Sequence, residues 1–493
     1  MTEERIFTMK NTKRIIAFIL AAALMLTLVL AGCGGSGSSG SESSSSASTP
    51  EESESTPEES EPADGEGESE GEEDEPVHVN PYEGTEYPEG EEIVLWSQSM
   101  GDIWVDFFEK AVHEYNLEGR GYTIREEFIA ASAWDERIAA ARASDTCPTA
   151  YIQSYNHIPT GVKEGYYGAF DDYMDSAVFE DMLPIVKDMV SLDGKTYAIP
   201  LLCEPSMVLY YRKDLLEAGN YKEPPKTWQE LIDMANALKT DDVFGLEIPG
   251  FGEMGWSTWG MQFGNTGHGP INDNWDAPMI DDGYRDIALF FKELYDTGAV
   301  PEQPLSGYTD IKPFGQGDVV FQICGSWAVT DLINTYPEVW ENTGVAVVPT
   351  KDGNLDKTTA TIGGWVYVLD SKAEKPEGAA DYLSWLVSKD NPERLGQYYV
   401  DVKFAKASPF ASIADWATEQ AGDSAEYVDV INRISSYGQP EAAYPWDISA
   451  RVASLFEDVA MGYDDIDNAL KTCSEDIQQL IDDNELPGTN PRK

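Results

Sequence analysis

One stretch of the sequence alternates between strand and helix patterns, and it constrains the fold more than any other feature. The segments "EEIVLWSQS" (91–99), "GYTIREEFI" (121–129) and "TAYIQSY" (149–155) are rich in β-branched and aromatic residues, which predicts strands. Between them, "DIWVDFFEKAVHEYN" and "SAWDERIAAARAS" carry apolar residues at helical spacing, with Asp102 and Ser132 placed as caps. Strand–helix–strand alternation predicts an α/β fold with a parallel sheet covered by helices. Ligands bind such sheets beyond the carboxyl ends of the strands.

The N-terminus has the pattern of an export signal. Basic residues precede an apolar run from Ile15 to Leu30, and small residues then lead to Cys33. This pattern predicts a secretory signal peptide over residues 1–32, because the apolar run is shorter than a typical membrane span. It resembles the bacterial lipobox, in which the cysteine becomes the lipidated first residue, so Cys33 is the expected lipidation site. The alternative is an ordinary signal, or a short membrane anchor, with an unrelated cysteine.

A polar tract follows Cys33. From Gly34 to Pro76 the chain has no aromatic residue and no Leu, Ile or Val. Such a segment cannot bury enough apolar surface to offset the entropy of ordering, so we expect a disordered tether over residues 33–90. Combined with acyl chains on Cys33, the tether would hold a folded body near the outer face of a membrane.

The remaining chain of about 400 residues is too long for one ordinary core, which favours two lobes. The formal net charge is −56, and 15 of the acidic residues lie in the polar tract. The body is therefore acidic in its own right. Nucleic acid is excluded as an expected partner, because phosphate binding needs basic patches, and an anionic ligand is disfavoured.

The cysteines and histidines give no pattern of a metal site, and no cofactor is expected. The four cysteines after Cys33 have no CxxC spacing, and the four histidines form no HxxxH or HxH pair. We interpret these cysteines as small buried residues, although a disulfide remains open in an exported protein. The residues concerned are Cys147, Cys203, Cys324, Cys473, His78, His113, His157 and His268.

Several motifs in the body resemble the extracellular solute-binding proteins of sugar ABC transporters, the family that includes maltose-binding proteins. They are "GKTYAIP", "LYYRKDLL", "PPKTWQEL", "CGSWAV", "GGWVY" and "YPWDI". Each motif is weak alone, but they follow the family's order over about 400 residues. In "PPKTWQEL", Thr227 and Glu230 also have the spacing of a helix-capping box.

This resemblance implies a two-lobed α/β fold in which crossing strands form a hinge. Lobe one would contain residues 91–204 and 344–402, and lobe two residues 205–343 and 403–493. Hinge closure around a ligand is the motion expected of such a fold.

A sugar ligand would present flat C–H faces to aromatic rings and hydroxyls to carboxylates. Trp327 matches the position of the family's Gly-x-Trp-Ala tryptophan, and Trp365 follows Gly364, where a glycine lets the backbone approach a ligand. Packing is the alternative for each tryptophan, a solvated hinge carboxylate for Glu204, and a capping charge for Asp135. The full set of predicted ligand-binding residues is Trp96, Trp134, Asp135, Glu204, Trp256, Trp259, Trp327, Gly364, Trp365 and Trp446.

Two functions are consistent with these features. The first is a monomeric, lipid-anchored extracellular protein that binds a carbohydrate, with an oligosaccharide favoured, and delivers it to the membrane permease of an ABC importer. It has no catalytic residue. The second is a surface glycoside hydrolase, which would need two carboxylates flanking the scissile bond. The resemblance favours the first, because its motifs include no catalytic pair.

Overall fold

The computed structural model describes residues 78–493, which form a mixed α/β body. The predicted signal peptide, Cys33 and the polar tract to Pro76 lie outside the described residues. Within the described range, no helix combines the length and apolar character of a membrane span.

Strands and helices alternate along the described residues. The strands are β1 (Glu91–Ser99), β2 (Tyr122–Ala130), β3 (Ala150–Ser154), β4 (Tyr167–Gly168), β5 (Ser191–Leu192), β6 (Lys195–Thr196), β7 (Ala198–Pro200), β8 (Glu204–Pro205), β9 (Val208–Arg212), β10 (Phe244–Glu247), β11 (Val319–Cys324), β12 (Thr343–Ala346), β13 (Thr361–Gly363), β14 (Trp365–Asp370) and β15 (Gln439–Pro440). The helices are α1 (Asp102–Glu118), α2 (Trp134–Ser144), α3 (Ile158–Lys163), α4 (Ser176–Glu180), α5 (Pro184–Val190), α6 (Lys213–Ala218), α7 (Trp228–Leu238), α8 (Met254–Ser257), α9 (Trp259–Thr266), α10 (Asp282–Thr297), α11 (Lys312–Gln316), α12 (Ala328–Thr335), α13 (Pro337–Trp340), α14 (Pro376–Leu386), α15 (Glu393–Asp401), α16 (Ala411–Gln420), α17 (Ala425–Tyr437), α18 (Trp446–Ala460) and α19 (Ile466–Asp483).

The first sheet has the order β2-β1-β3-β14-β4, with β7 also paired to β14. β1 pairs in parallel with both β2 and β3, which confirms the parallel arrangement predicted from the alternating pattern. β14 comes from a distant part of the chain and pairs antiparallel with β3, β4 and β7. Its central residues are buried, which makes it a core strand of this sheet.

The second sheet has the order β10-β11-β9-β12. β9 pairs antiparallel with β11 and β12, and β10 runs parallel to β11. Gly344, at the predicted lobe boundary, lies inside β12, opposite Tyr211. A Cβ at this position would lie 2.0 Å from the Tyr211 ring, so the glycine makes room for that ring and does not mark a crossing.

A small third sheet, with the order β15-β13-β8, lies where the chain passes between the other two. The chain leaves the first sheet at β7, passes through β8 and enters the second sheet at β9. It returns from β12 through β13 to β14. We call β8, β13 and β15 the junction sheet. The chain thus passes from the first sheet to the second through β8 and returns through β13.

Helix starts show how far local patterns determine structure. The predicted capping box is confirmed, because the Thr227 side chain accepts from the backbone of Glu230 while the Glu230 carboxylate accepts from the Thr227 backbone. The caps predicted for the first two helices are wrong. Asp102 is the first helical residue and Ser132 lies in a short 3-10 turn before Trp134, and neither helix has a side-chain cap.

The cysteines of the described residues are all free thiols. Three of them are buried, namely Cys203, Cys324 and Cys473, as predicted, and Cys147 is half-buried. Burial raises the pKa of the Cys203 and Cys473 thiols to about 12, so both stay protonated at neutral pH. These cysteines contribute packing and not reactivity.

Candidate functional site

The junction sheet fixes the position of the candidate site. Glu204 of β8 lies opposite Gly363 of β13. One residue beyond β8, the Ser206 hydroxyl lies 2.8 Å from the Thr361 hydroxyl, and both side chains are buried. The backbone of Ser206 also donates to the carbonyl of Thr361. Polar contacts thus hold two crossing segments together at the point where the sheets meet.

Glu204 forms an ion pair with Lys406, and both side chains are mostly buried, with 15% and 17% of their surface exposed. Lys406 is brought there by the chain beside it, because Cys203 and Ala407 form an antiparallel bridge. Burial lowers the pKa of the Lys406 ammonium, and contact with the Glu204 carboxylate opposes that shift. Glu204 is therefore a paired carboxylate and not a solvated one.

Glu441 is a second carboxylate at this junction, and it is not among the residues predicted from the sequence. It follows β15, and one of its oxygens would lie 2.6 Å from a Cβ placed on Gly363. Burial raises the pKa of Glu441 to about 7. Within the described residues it makes no hydrogen bond and no ion pair. No local pattern in "GQPEAAYPW" marks it, because its position depends on a strand pairing between distant segments.

Gly364 and Trp365 connect the junction to the first sheet. Gly364 has φ +137, and a Cβ there would lie 2.3 Å from the Leu202 carbonyl oxygen, so only glycine fits this close approach. Trp365 begins β14 opposite Ser154 and is half-buried. Gly364 and Trp365 thus follow Gly363, the residue opposite Glu204, and lie at the end of the first sheet where β14 begins.

Five aromatic side chains of the second half of the fold contact one another in a group that we call the aromatic wall: Trp256, Trp259, Tyr308, Trp327 and Trp446. The Trp446 ring centroid lies 6.2 Å from that of Trp256 and 6.3 Å from that of Trp259. Trp256 contacts Tyr308 edge-on at 5.2 Å, and Tyr308 contacts Trp327 edge-on at 6.4 Å. The four tryptophans are each predicted separately from the sequence, and the fold connects them through Tyr308.

Helix packing holds the aromatic wall in place. A Cβ on Gly255 would lie 1.9 Å from the Ser449 carbonyl oxygen, so α8 and α18 meet backbone to backbone. The Trp259 indole donates to the Ser449 hydroxyl at 3.1 Å, and the Trp327 indole to the Thr309 carbonyl at 3.1 Å. Satisfied indole N–H groups fix the ring orientations.

Tyr308 joins the aromatic wall to the junction sheet. Its hydroxyl donates to the Ser206 carbonyl, two residues from Glu204. The backbone of Ser326, next to Trp327, donates to the Pro205 carbonyl at 3.0 Å. The short segment 204–206 therefore carries the Glu204 carboxylate and also accepts hydrogen bonds from Tyr308 and Ser326 of the aromatic side.

The rings differ in the surface that a ligand could contact. Trp446 is 56% exposed although it lies among other rings. Trp256, Trp327 and Trp365 are half-buried, and Trp259 is 6% exposed. Trp446, Trp256, Trp327 and Trp365 have free ring surface, whereas Trp259 mainly supports the Trp446 ring from behind.

The remaining predicted residues belong to the first part of the fold, where Trp96 lies in β1 and Trp134 and Asp135 begin α2. Trp96 and Trp134 are core residues with 6% and 3% exposure, and the Arg137 guanidinium lies 4.6 Å from the Trp96 ring centroid. Asp135 is exposed in the first turn of α2. Their burial indicates a packing role for the two tryptophans. The negative charge of Asp135 interacts favourably with the positive, N-terminal end of the helix dipole.

Comparisons with known proteins agree with this architecture. The family model described as bacterial extracellular solute-binding protein matches residues 110–418, more than half of the chain. The cyclic alpha-maltosyl-1,6-maltose binding protein from Arthrobacter globiformis has a crystal structure similar to this one, with a TM-score of 0.67 at 18% identity, covering 80% of this chain and 100% of that chain. A lactose-binding protein of Rhizobium radiobacter is 26% identical over 311 residues, 61% of this chain and 71% of that protein. A mannitol-binding protein of Pseudomonas aeruginosa is 24% identical over 219 residues, 43% of this chain and 49% of that protein.

The family match decides between the two functions that the sequence left open. Its members bind substrates and are not enzymes, so the glycoside hydrolase alternative is not supported. The two-lobed fold and the crossing strands fit the same conclusion. This chain belongs to the family of bacterial extracellular solute-binding proteins.

Proposed function

We propose that this protein binds an uncharged carbohydrate, with an oligosaccharide favoured, between the aromatic wall and the edge of the first sheet at Trp365. The observation that carries the proposal is the exposed Trp446 ring, backed by Trp256 and Trp259. A large apolar ring left 56% exposed among other rings has a surface suited to the C–H face of a sugar.

The junction supplies the polar half of such a site. Carboxylates accept hydrogen bonds from hydroxyls in fixed directions, and an ammonium donates to ring and hydroxyl oxygens. Glu204, Lys406 and Glu441 offer both kinds of group beside Gly363 and Gly364. Because Glu441 has no protein partner among the described residues, a ligand hydroxyl could donate to it without displacing an existing hydrogen bond.

The relatives and the charge support a neutral sugar. The similar proteins are named for lactose, mannitol and a cyclic maltosyl-maltose. The net charge of −56 repels anions and has little effect on a neutral polyol.

We further propose that the protein is a monomeric lipoprotein that serves an ABC permease. Cys33 would carry the acyl chains after removal of residues 1–32. The tether predicted over residues 33–90 would end before residue 78, because Tyr82 and Tyr87 contact His113 of α1. Two lobes, residues 91–204 with 344–402 and residues 205–343 with 403–493, would close on the ligand, with the return crossing adjusted to β13. Labelled fatty acid should be incorporated by the wild-type chain and not by a Cys33→Ala variant. Labelling of that variant would refute this part of the proposal.

Isothermal titration of the full chain in detergent with a panel of oligosaccharides, mannitol and glycerol phosphate tests the ligand class. We expect binding of at least one neutral saccharide without turnover. Trp446→Ala should weaken that binding by about 1–3 kcal/mol, roughly 5- to 150-fold, the range for a lost stacking contact. Tyr463→Ala is the matched control, because Tyr463 is 65% exposed elsewhere on the surface.

Trp327→Ala should weaken binding by a similar amount, about 1–3 kcal/mol. Its control is Trp340→Ala, which removes a half-buried indole that contacts Tyr427 at 5.3 Å, away from the wall. If both wall variants bind like their controls, the aromatic wall is not the binding surface.

A further inference from the structure

We propose that His78, Asp106 and Glu109 form a binding site for a divalent transition-metal ion of the Zn²⁺ type. No sequence pattern marks this site, because His78 lies far from the other two residues along the chain. The fold places it against α1, which carries both carboxylates.

The geometry suits three ligands to one ion. One ligand atom from each residue lies within 4.8 Å of the other two. His78 Nε2 is 3.1 Å from a Glu109 carboxylate oxygen, and His78 Nδ1 is 4.0 Å from an Asp106 oxygen. Ligand atoms about 2.0–2.2 Å from one zinc ion lie roughly 3–3.6 Å apart, which the pair of His78 Nε2 and Glu109 already satisfies. An imidazole binds one ion through one nitrogen, so the exposed Asp106 carboxylate, which lies nearer Nδ1, has to swing toward Nε2 to complete the site. Asp106 and Glu109 are three residues apart and share one face of α1.

Glu109 gives the second, independent observation. Only 6% of its side chain is exposed, and its Oε2, which faces His78, makes no hydrogen bond among the described residues. No lysine or arginine of the described residues forms an ion pair with Glu109 or Asp106. The charged partner of Glu109 among the described residues is therefore His78, which compensates the carboxylate only while the imidazole is protonated. A bound dication would replace that proton and supply the charge that a neutral imidazole lacks.

The ligand types indicate the class of metal. One imidazole with two carboxylates suits Zn²⁺ and related transition metals, whereas Ca²⁺ and Mg²⁺ prefer all-oxygen sites. Three protein ligands leave a position for water, and Asp106 faces solvent, so an ion can enter from that side.

The location gives the site a structural role. The segment after His78 already lies along α1, because the Tyr82 ring stacks on His113 at 4.1 Å and the Tyr87 hydroxyl is 3.0 Å from His113 Nδ1. A metal ion at His78 would fasten the first of the described residues to α1.

Titration of the full, metal-free chain with Zn²⁺, followed by calorimetry, tests the proposal. We expect one site that His78→Ala and Glu109→Gln each weaken at least tenfold, with Ca²⁺ failing to compete. His268→Ala is the matched control, since His268 Nε2 is also 3.1 Å from a carboxylate oxygen, that of Asp281, but has no third ligand. This variant should bind Zn²⁺ like the wild type.

A spectroscopic measurement reports on the bound metal directly and does not depend on how a substitution changes the stability of the fold. Co²⁺ in the site should give visible absorption bands that disappear in His78→Ala and persist in His268→Ala. Absence of Zn²⁺ binding, or equal binding and equal Co²⁺ spectra in wild type and His78→Ala, would overturn the proposal. Because this site lies on α1, away from the aromatic wall, either result leaves the sugar proposal unaffected.

Discussion

Replacing Glu441 by glutamine should change how the stability of the fold depends on pH. Burial raises the pKa of Glu441 from 4.5 to about 7, so between these values the folded state holds a proton that the unfolded state has lost. The group therefore lowers the free energy of unfolding as pH rises through this window, and above pH 7 the loss is complete. At about 1.4 kcal/mol per pKa unit, the total is about 3 kcal/mol.

Glutamine mimics the protonated carboxyl and does not titrate. Glu441→Gln should therefore match the wild type near pH 4.5 and exceed its free energy of unfolding by about 3 kcal/mol near pH 8. Urea unfolding of both proteins across this pH range measures the difference in their free energies of unfolding. Burial also raises the pKa of Glu126 to about 8 and that of Glu247 to about 7. These two groups titrate in both proteins, so their contributions cancel in the difference. Glu302→Gln, at an exposed loop position, should show no such trend. A wild-type-to-Glu441→Gln difference that stays constant with pH would refute the reasoning.

Two further substitutions test local features of the fold. Thr227→Ala should lower the free energy of unfolding by about 1 kcal/mol, because it removes the hydroxyl that accepts from the Glu230 backbone N–H. Thr227→Ser keeps a hydroxyl and should retain most of the wild-type stability. Urea unfolding midpoints measure both variants. Gly364→Ala should destabilise by more than about 2 kcal/mol, because it combines a positive φ with a 2.3 Å approach to the Leu202 carbonyl. Gly252→Ala is its control, since a Cβ there meets nothing within 4 Å, and equal melting temperatures for the two variants would contradict the argument.

Elements set by local patterns could be predicted from the sequence. The strand over 91–99 has the predicted bounds, because alternation and β-branched residues act within the strand itself. The capping box at Thr227 depends only on a three-residue spacing, and it forms as predicted. Trp446 and Trp327 are singled out for a different reason, namely that the motifs around them resemble those of the family, and their contact with a ligand stays a prediction.

Features set by pairing between distant segments could not be predicted. β14 enters the first sheet antiparallel to β3, and nothing in its own residues specifies that partner. Glu441 reaches the junction only because β15 pairs with β13. Burial of Trp96 and Trp134 follows from the helices packed over the sheet, and it separates these rings from those with free surface.

If the proposed site is divided between the two sheets, ligand binding would drive closure. The aromatic wall is fixed to the second sheet's side of the junction through Tyr308, whereas Trp365 begins a strand of the first sheet. The junction strands β8 and β15 have two residues each and β13 has three, so few backbone hydrogen bonds resist a change of angle between the sheets. A sugar that contacts both the wall and Trp365 binds the closed arrangement more tightly than the open one, and only that difference shifts the equilibrium. Trp365→Ala should therefore reduce both affinity and ligand-induced compaction in solution scattering. A loss of affinity with unchanged compaction would show that the wall alone drives closure.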